Sequence, residues 1–479
     1  MQRLRRFFFY LFAATYAVSC PLILLYALGY AFKPTPQLQW VETGLIHLET
    51  VPSGAAVYLE GKRCEEMTPT ALKELLPGEY RIRLELEGYQ PWERSIWVEA
   101  KQAHRLDEIL LVPDRLEPEE LSSHRWERLI PVPETPYLLL TKGPLLKEAV
   151  VYDRQRRSLH PLVGRVSPWG DAAILSHWVV PESAWVLLQV RTTEGLRWIG
   201  FALDEEAPEP KDLTPLFVHP PEEITWSPRR PDRLFLLREG SLDRLDLQEM
   251  SLYPQLAQRI RGCGVIDPGE LLLLTNQGRI HRIRHTGELL ETFFEDSPLG
   301  RELLGGEGRF SVHPLSGDLW LFLGKQGRLL TNRPPYQLVE EGVRGFQYDK
   351  RRQRLLVWTD RRLGMVDFSR RKAEEEPLEE EAGVRWVYEG GARIRQAFWV
   401  YQGSHILFQD RDLFLLLEVE TYGNPALNWS VPQALHRLAE AAGASEGSYS
   451  DEEGTLLYLD RSQGRLVSIP VVPPPVAPA

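Results

Sequence analysis

The sequence predicts a mainly β protein carried behind one apolar helix, and three observations carry that expectation. Residues Phe7 to Phe32 form a run of 26 positions with no charged side chain. A short segment after it alternates apolar and charged residues strictly, as in Tyr80-Arg81-Ile82-Arg83-Leu84-Glu85-Leu86, the period of a half-buried strand. From about Leu116 onward a strand, a polar turn and further strands recur, with eight turns spaced 35 to 53 residues apart. Repeats of about 40 to 50 residues with four strands each are the signature of propeller blades. The expected division is 1–6 a basic cytoplasmic terminus, 7–32 a transmembrane helix, 33–43 a linker, 44–113 a small β unit, 114–470 an eight-bladed propeller, and 471–479 a proline-rich tail. Seven blades is the alternative.

The apolar run exceeds the roughly 20 residues that span a bilayer core, even with Pro21 kinking it. Arg3, Arg5 and Arg6 precede it and only Lys33 stands close behind, so the positive-inside rule keeps the amino terminus cytoplasmic and the domains outside. Two other readings compete: a cleaved signal peptide with Gly29-Tyr30-Ala31 as its small-residue site, and a lipid anchor on Cys20 after Ala17-Val18-Ser19. The apolar stretch is too long for the first and continues past the cysteine of the second. Tyr26, Tyr30 and Trp40 are placed for the outer interface.

A chain of 479 residues exceeds one ordinary core. Its net charge of −11 argues against general nucleic-acid binding, which needs a concentrated basic surface. Arginine outnumbers lysine 46 to 10, which fits either base composition or ion-pair networks and indicates no function. The three cysteines, Cys20, Cys64 and Cys263, have neither zinc-site nor local disulfide spacing and read as packing residues.

In the small β unit, Ile46 and Leu48, Val57 and Leu59, and Ile96 and Val98 repeat the alternation, broken by turn residues at Pro52-Ser53-Gly54, Glu60-Gly61, Leu76-Pro77-Gly78 and Glu87-Gly88. Gly44-Leu45-Ile46, Pro52-Ser53-Gly54-Ala55, Val57-Tyr58-Leu59, Thr68-Pro69, Leu75-Leu76-Pro77-Gly78-Glu79-Tyr80 and Gly88-Tyr89-Gln90-Pro91-Trp92 occur together. In this combination the segment resembles a PEGA domain, with Ser53 where the family name has Glu. The resemblance implies a β-sandwich-like module of envelope and surface proteins, with no catalytic residues to carry over.

The repeat turns are Pro133-Glu134-Thr135-Pro136, Pro181-Glu182-Ser183, Ser227-Pro228-Arg229-Arg230, Asp267-Pro268-Gly269, His313-Pro314-Leu315-Ser316-Gly317, Tyr348-Asp349-Lys350, Tyr401-Gln402-Gly403 and Ser450-Asp451-Glu452-Glu453-Gly454. Apolar strands such as Leu271-Leu272-Leu273-Leu274 follow them, as sheets packed on both faces require. The pattern resembles Tol-type and WD-repeat propellers through a weak hydrophobic-Ser-Pro-x-Gly corner, a likeness of architecture only. Trp178, Trp226, Phe346 and Trp399 precede turns and read as packing between blades rather than a ligand platform. The strand after Leu413 to Val419 is hard to find, and the last repeat ends at Val467-Ser468-Ile469, one strand short. A segment between Leu116 and Arg128 is therefore expected to complete the last blade.

Two insertions interrupt the repeats. Glu374 to Glu381 holds six glutamates in eight residues; a calcium site is conceivable, but the spacing is that of a solvated loop. Ser430 to Gly443 reads as a helix: Ser430 and Gln433 make a capping box, Leu435, Leu438 and Ala442 line one face, and Gly443 stops it. Gly443-Ala444-Ser445-Glu446-Gly447 matches a nucleophile elbow by letters but in the wrong strand and helix order. His281 and His285 lack a third metal ligand. No catalytic, cofactor or metal residue is assigned. Two function classes follow: a membrane-anchored extracytoplasmic scaffold or binding protein contacting envelope proteins or cell-wall polysaccharide, and an envelope enzyme of hydrolase or lyase type with a site assembled from propeller loops. Ionisable side chains converging on the propeller axis would favour the enzyme.

Overall fold

The computed structural model describes residues 2–27, 30–33, 39–164, 167–179, 183–217, 219–227, 230–266, 269–293, 298–305, 309–316, 318–334, 336–369, 383–419, 435–440, 447–460 and 462–473. Helix α1 (Gln2–Ala27) contains Pro21 and exposes Phe7, Phe8, Phe9, Tyr10 and Phe12. It stops five residues short of the expected Phe32. Tyr30–Lys33 (β1) instead pairs antiparallel with Gln39–Glu42 (β2), setting Phe32 opposite Trp40. Backbone pairing therefore replaces the expected continuation of the helix to Phe32, and strand covers Gln39–Glu42 within the segment expected as linker. Among the described residues no helix is long and apolar enough to cross a membrane.

Next comes a two-sheet unit. One sheet orders Thr70–Leu75 (β6), Gly44–Val51 (β3) and Ala103–Leu110 (β9); the other orders Lys62–Met67 (β5), Ala56–Leu59 (β4), Gly78–Glu85 (β7) and Trp92–Val98 (β8). The predicted alternation holds: Ile82 and Leu84 of β7 are fully buried and join Ile46, Leu48, Val57, Ile96 and Val98 in one core, while Arg81 stays outside. Burying each such side chain contributes about 1.5 to 3 kcal/mol. Gly88, with φ +82°, makes the turn that leads from β7 toward β8.

The rest is a ring. Eight four-stranded antiparallel sheets follow one another, with first strands Arg128–Pro131, Ala173–Val179, Glu223–Ser227, Ile260–Ile266, Phe310–Ser316, Val343–Asp349, Ile394–Val400 and Ser448–Ser450. We number them blades 1 to 8. Each hydrophobic cluster is shared by two neighbours: Ile130 with Ile199 (blades 1 and 2), Trp198 with Trp226 (2 and 3), Phe235 with Leu271 (3 and 4), Leu272 with Phe322 (4 and 5), Leu321 with Val357 (5 and 6), and Leu356 with Phe408 (6 and 7). The circuit then runs from Phe414 to Tyr458 (7 and 8) and from Leu459 to Leu138 (8 and 1), so the ring closes on itself. Trp226 and Trp399 lie in these seams, as expected of packing residues. Between blades 4 and 5 the inner strands approach so closely that a Cβ at Gly262 or Gly264 would collide with the carbonyl oxygens of Phe310 and Val312.

The last blade is completed from the beginning of the domain. Glu119–Glu120 (β10) pairs with the strand Arg465–Pro470, Glu119 opposite Ser468 and Glu120 opposite Val467. Leu121 N donates to Leu466 O at 3.0 Å and Trp126 N to Gly464 O at 2.6 Å, extending the join. Blade 7 corrects another expectation. Leu435–Glu440 is its fourth strand, pairing with Leu413–Glu418, and not part of a helix over Ser430 to Gly443. In a strand Leu438 reaches the seam between blades 7 and 8; the unsatisfied edge of the third strand outweighed the helical spacing of Leu435 and Leu438. Ser430, Gln433, Ala442 and Gly443, the glutamate run Glu374 to Glu381, Ser445 with most of the elbow-like motif, Gly29, and the tail beyond Pro473 lie outside the described residues.

Candidate functional site

The first strands of the blades surround the axis, and their side chains were the place to look for chemistry. Glu223 (blade 3) is pushed up to about 7 by burial, and His313 (blade 5) is pushed down to about 4 by the same cause. Burial, then the nearby Glu223 carboxylate, raise the Cys263 thiol (blade 4), which suppresses the thiolate a nucleophile needs. His313 Nε2 lies 3.0 Å from Ser311 Oγ on its own strand, and its ring meets Phe346 edge-on at 4.9 Å. Gln347 Oε1 accepts from Trp399 N at 2.8 Å, and Arg154 donates to Ser448 O at 2.5 Å. All of these contacts except that of His313 with Ser311 join neighbouring blades. The axis is therefore knitted by packing and by bonds to backbone, and among the described residues no group of three metal-ligating side chains occurs.

His281 and His285 are apart in role as well: His281 Nδ1 sits 2.9 Å from Thr292 Oγ1, whereas His285, beyond the strand's end, contacts Gly269 O at 3.1 Å. The sequence pattern placed His313 in a repeat turn, whereas it lies within the strand Phe310–Ser316, and the pattern did not single out Glu223. A charged or imidazole residue in an otherwise apolar inner strand was the signal available.

Two features lie elsewhere. The first is the junction between the small unit and the ring. Glu418, buried at the end of the third strand of blade 7, accepts Trp92 Nε1 at 3.0 Å and pairs with Arg94, both from β8. His436 of the neighbouring strand contacts Gln90 Oε1 at 2.8 Å, and burial, ahead of the opposing charges of Glu418 and Arg94, lowers its pKa. Beneath these bonds, alternate residues at the end of β9 and just beyond it divide between two cores: Ile109 and Leu111 enter the small unit, Leu110 and Val112 enter the seam of blades 7 and 8. All these contacts come from the end of the ring that carries the turns between first and second strands.

The second is a cleft of about 500 Å³ on the outer face of the small unit. One wall is sheet: Ala56 and Tyr58 of β4, Arg63 of β5, Arg83 and Glu85 of β7, with Tyr58 directly between Arg63 and Arg83 in register. The other wall is Leu86 to Tyr89, Pro91 and Asp114, held by Asp114 N donating to Gly88 O at 2.9 Å and Gln90 N donating to Val112 O at 2.8 Å.

The fold and junction define the class: an eight-bladed propeller with a β-sandwich module docked against its last two blades. Residues 43–110 match the PEGA domain, and the module is one. No curated protein matches the chain. Among solved structures the chain is similar to BamB from Moraxella catarrhalis, at 10% identity over 74% of this chain and 100% of that one, with a TM-score of 0.43. It is also similar to PorZ, a surface component of the type-IX secretion system of Porphyromonas gingivalis, at 13% identity over 71% of this chain and 42% of that one, with a TM-score of 0.37. Hsv2 of Kluyveromyces lactis matches at 12% identity over 66% of this chain and 99% of that one, with a TM-score of 0.37. These likenesses say nothing of what this chain binds.

Proposed function

We propose that this chain is a binding scaffold of the cell envelope, held at the membrane through α1 with its β domains on the extracytoplasmic side. The observation that carries the reading is the docked junction. Buried Glu418, with Trp92 and Arg94, fixes the PEGA domain to one end of the ring, so the module positions the propeller rather than trailing from it. The uncharged run Phe7 to Phe32, the apolar side chains exposed along α1 within it and the arginines before it support the membrane attachment and its direction. The far end of the ring, with the turns between second and third strands such as Asp360-Arg361-Arg362 in blade 6 and Arg411-Asp412 in blade 7, then offers the partner surface. An inner strand set occupied by interblade packing weighs against the enzyme reading.

A photo-crosslinking residue placed at Arg361 or Arg411 in living cells tests it. Discrete adducts with envelope proteins are expected, and protease added to intact spheroplasts should digest the β domains. Protection of the ring in spheroplasts overturns the membrane orientation, and absence of adducts at both positions overturns the scaffold.

A further inference from the structure

We infer that the cleft of the PEGA domain is a binding site for a neutral oligosaccharide. This deepens the scaffold reading by giving the docked module a ligand of its own.

Composition and placement of the lining carry the inference. At about 500 Å³ the cleft is within the range of small-ligand sites, roughly 300 to 1,000 Å³. It places tyrosines on both walls, Tyr58 on the sheet and Tyr89 on the loop. Both rings are half-buried, so each is held by the protein while keeping surface toward the cleft. A tyrosine presents a broad apolar face with a polar rim, the surface on which the C–H face of a pyranose ring can lie. Around the rings stand planar groups with paired donors or acceptors, Arg63, Arg83, Glu85, Glu87 and Asp114, and these match the vicinal hydroxyls of a sugar.

Charge selects among ligands. Arg83 and Glu85 pair with each other at 2.5 Å. That leaves Arg63 on the sheet wall and the carboxylates of Glu87 and Asp114 on the loop wall. A polyanion would meet two carboxylates and a cation would meet the guanidinium, whereas a neutral, hydroxyl-rich chain can bond to all three. The walls are also built in advance. Tyr58 is locked in register between β5 and β7, and the loop wall is tied to the segment that leads into the propeller by an antiparallel bridge between Tyr89 and Pro113. A site ordered before the ligand arrives loses less entropy on binding.

The test uses the full chain in nanodiscs, so that no glycosidic detergent competes. Saturation-transfer NMR and titration calorimetry are run with cellohexaose, maltohexaose and chitohexaose, and with a polygalacturonate hexamer as the anionic probe. At least one neutral hexasaccharide should bind. Tyr58→Ala and Arg63→Ala, both on the outer face of the sheet, should each weaken it tenfold or more while the melting temperature stays within about 2 °C, and Tyr58→Phe should retain most of the affinity. Binding of none of the neutral sugars, undiminished binding by Tyr58→Ala, or preference for the polygalacturonate probe overturns the inference. Crosslinked protein partners at the far end of the ring would be unaffected by any of these results, so the two readings fail separately.

Discussion

The PEGA domain and the propeller bury their apolar residues by opposite schemes. In the PEGA domain two sheets face one another and a single cluster, from Ile46 to Leu111, closes within one continuous segment. In the ring no blade owns a core: each of the eight clusters needs residues from two neighbours, and the circuit is complete only where Leu459 and Leu466 of blade 8 meet Leu138 and Leu140 of blade 1. The first scheme closes a core without residues from the ring. The second spreads stability around a circle, so damage at any seam is felt by the blades on both sides.

The sharpest way to break the comparison is to open the circle. Deleting residues 114–128 removes β10, its ladder to Arg465–Pro470 and the buried Trp126, and should lower the melting temperature of the ring on the order of 10 °C. Calorimetry that shows an unchanged transition would remove the closing role of β10. A smaller effect is expected at the join of the two schemes. Glu418→Ala removes the buried carboxylate that Arg94 and Trp92 share and should cost about 3 kcal/mol, seen as separation of one unfolding transition into two. A single coincident transition in that variant would show that Leu110 and Val112 suffice to couple the domains.

Smaller still are the pH effects of the inner strands. The folded pKa of His313, about 4, lies below its ordinary value, so its contribution is present above about pH 6.5 and is lost as pH falls through 4. His313→Phe should flatten that acid limb by about 2 kcal/mol in urea titrations at pH 4 and 7. Glu223 has the reverse sign: with a folded value near 7, its contribution is present below about pH 4.5 and is lost as pH rises through 7. Glu223→Gln should therefore stabilise the ring by about 1 kcal/mol at pH 8 and leave it nearly unchanged at pH 4. A variant equally stabilised at both pH values would show that the carboxyl acts through packing instead.

The sequence was most legible where a local rule had no competitor. The alternation in β7, the turns at Glu134 and at Gln402-Gly403, both in positive-φ conformations, and the missing strand of the last blade all answered to period, turn chemistry and edge pairing. It was least legible where the partner is remote. Leu435 and Leu438 are spaced for a helix as well as for a strand, and only the third strand of blade 7 decides between them. The same holds for Phe32, which pairs with Trp40, and for Glu418, which finds Trp92 and Arg94 more than three hundred positions earlier. The cleft was invisible for a related reason: Tyr58, Arg63 and Arg83 are ordinary surface residues until pairing in register makes them one row.

The closing strand also fixes an order of events during synthesis. Glu119 and Glu120 leave the ribosome ahead of every blade, yet their partners, Val467 and Ser468, are among the last residues of the ring to emerge. The docking surface of the PEGA domain, on blades 7 and 8, comes late as well. For nearly the whole of translation the nascent protein thus carries an unpaired strand at one end and, at the other, a growing stack of blades whose newest apolar face has no lid. Such a chain is most vulnerable to aggregation just before completion, and a holdase that shields the edge of the newest blade would protect it over that interval.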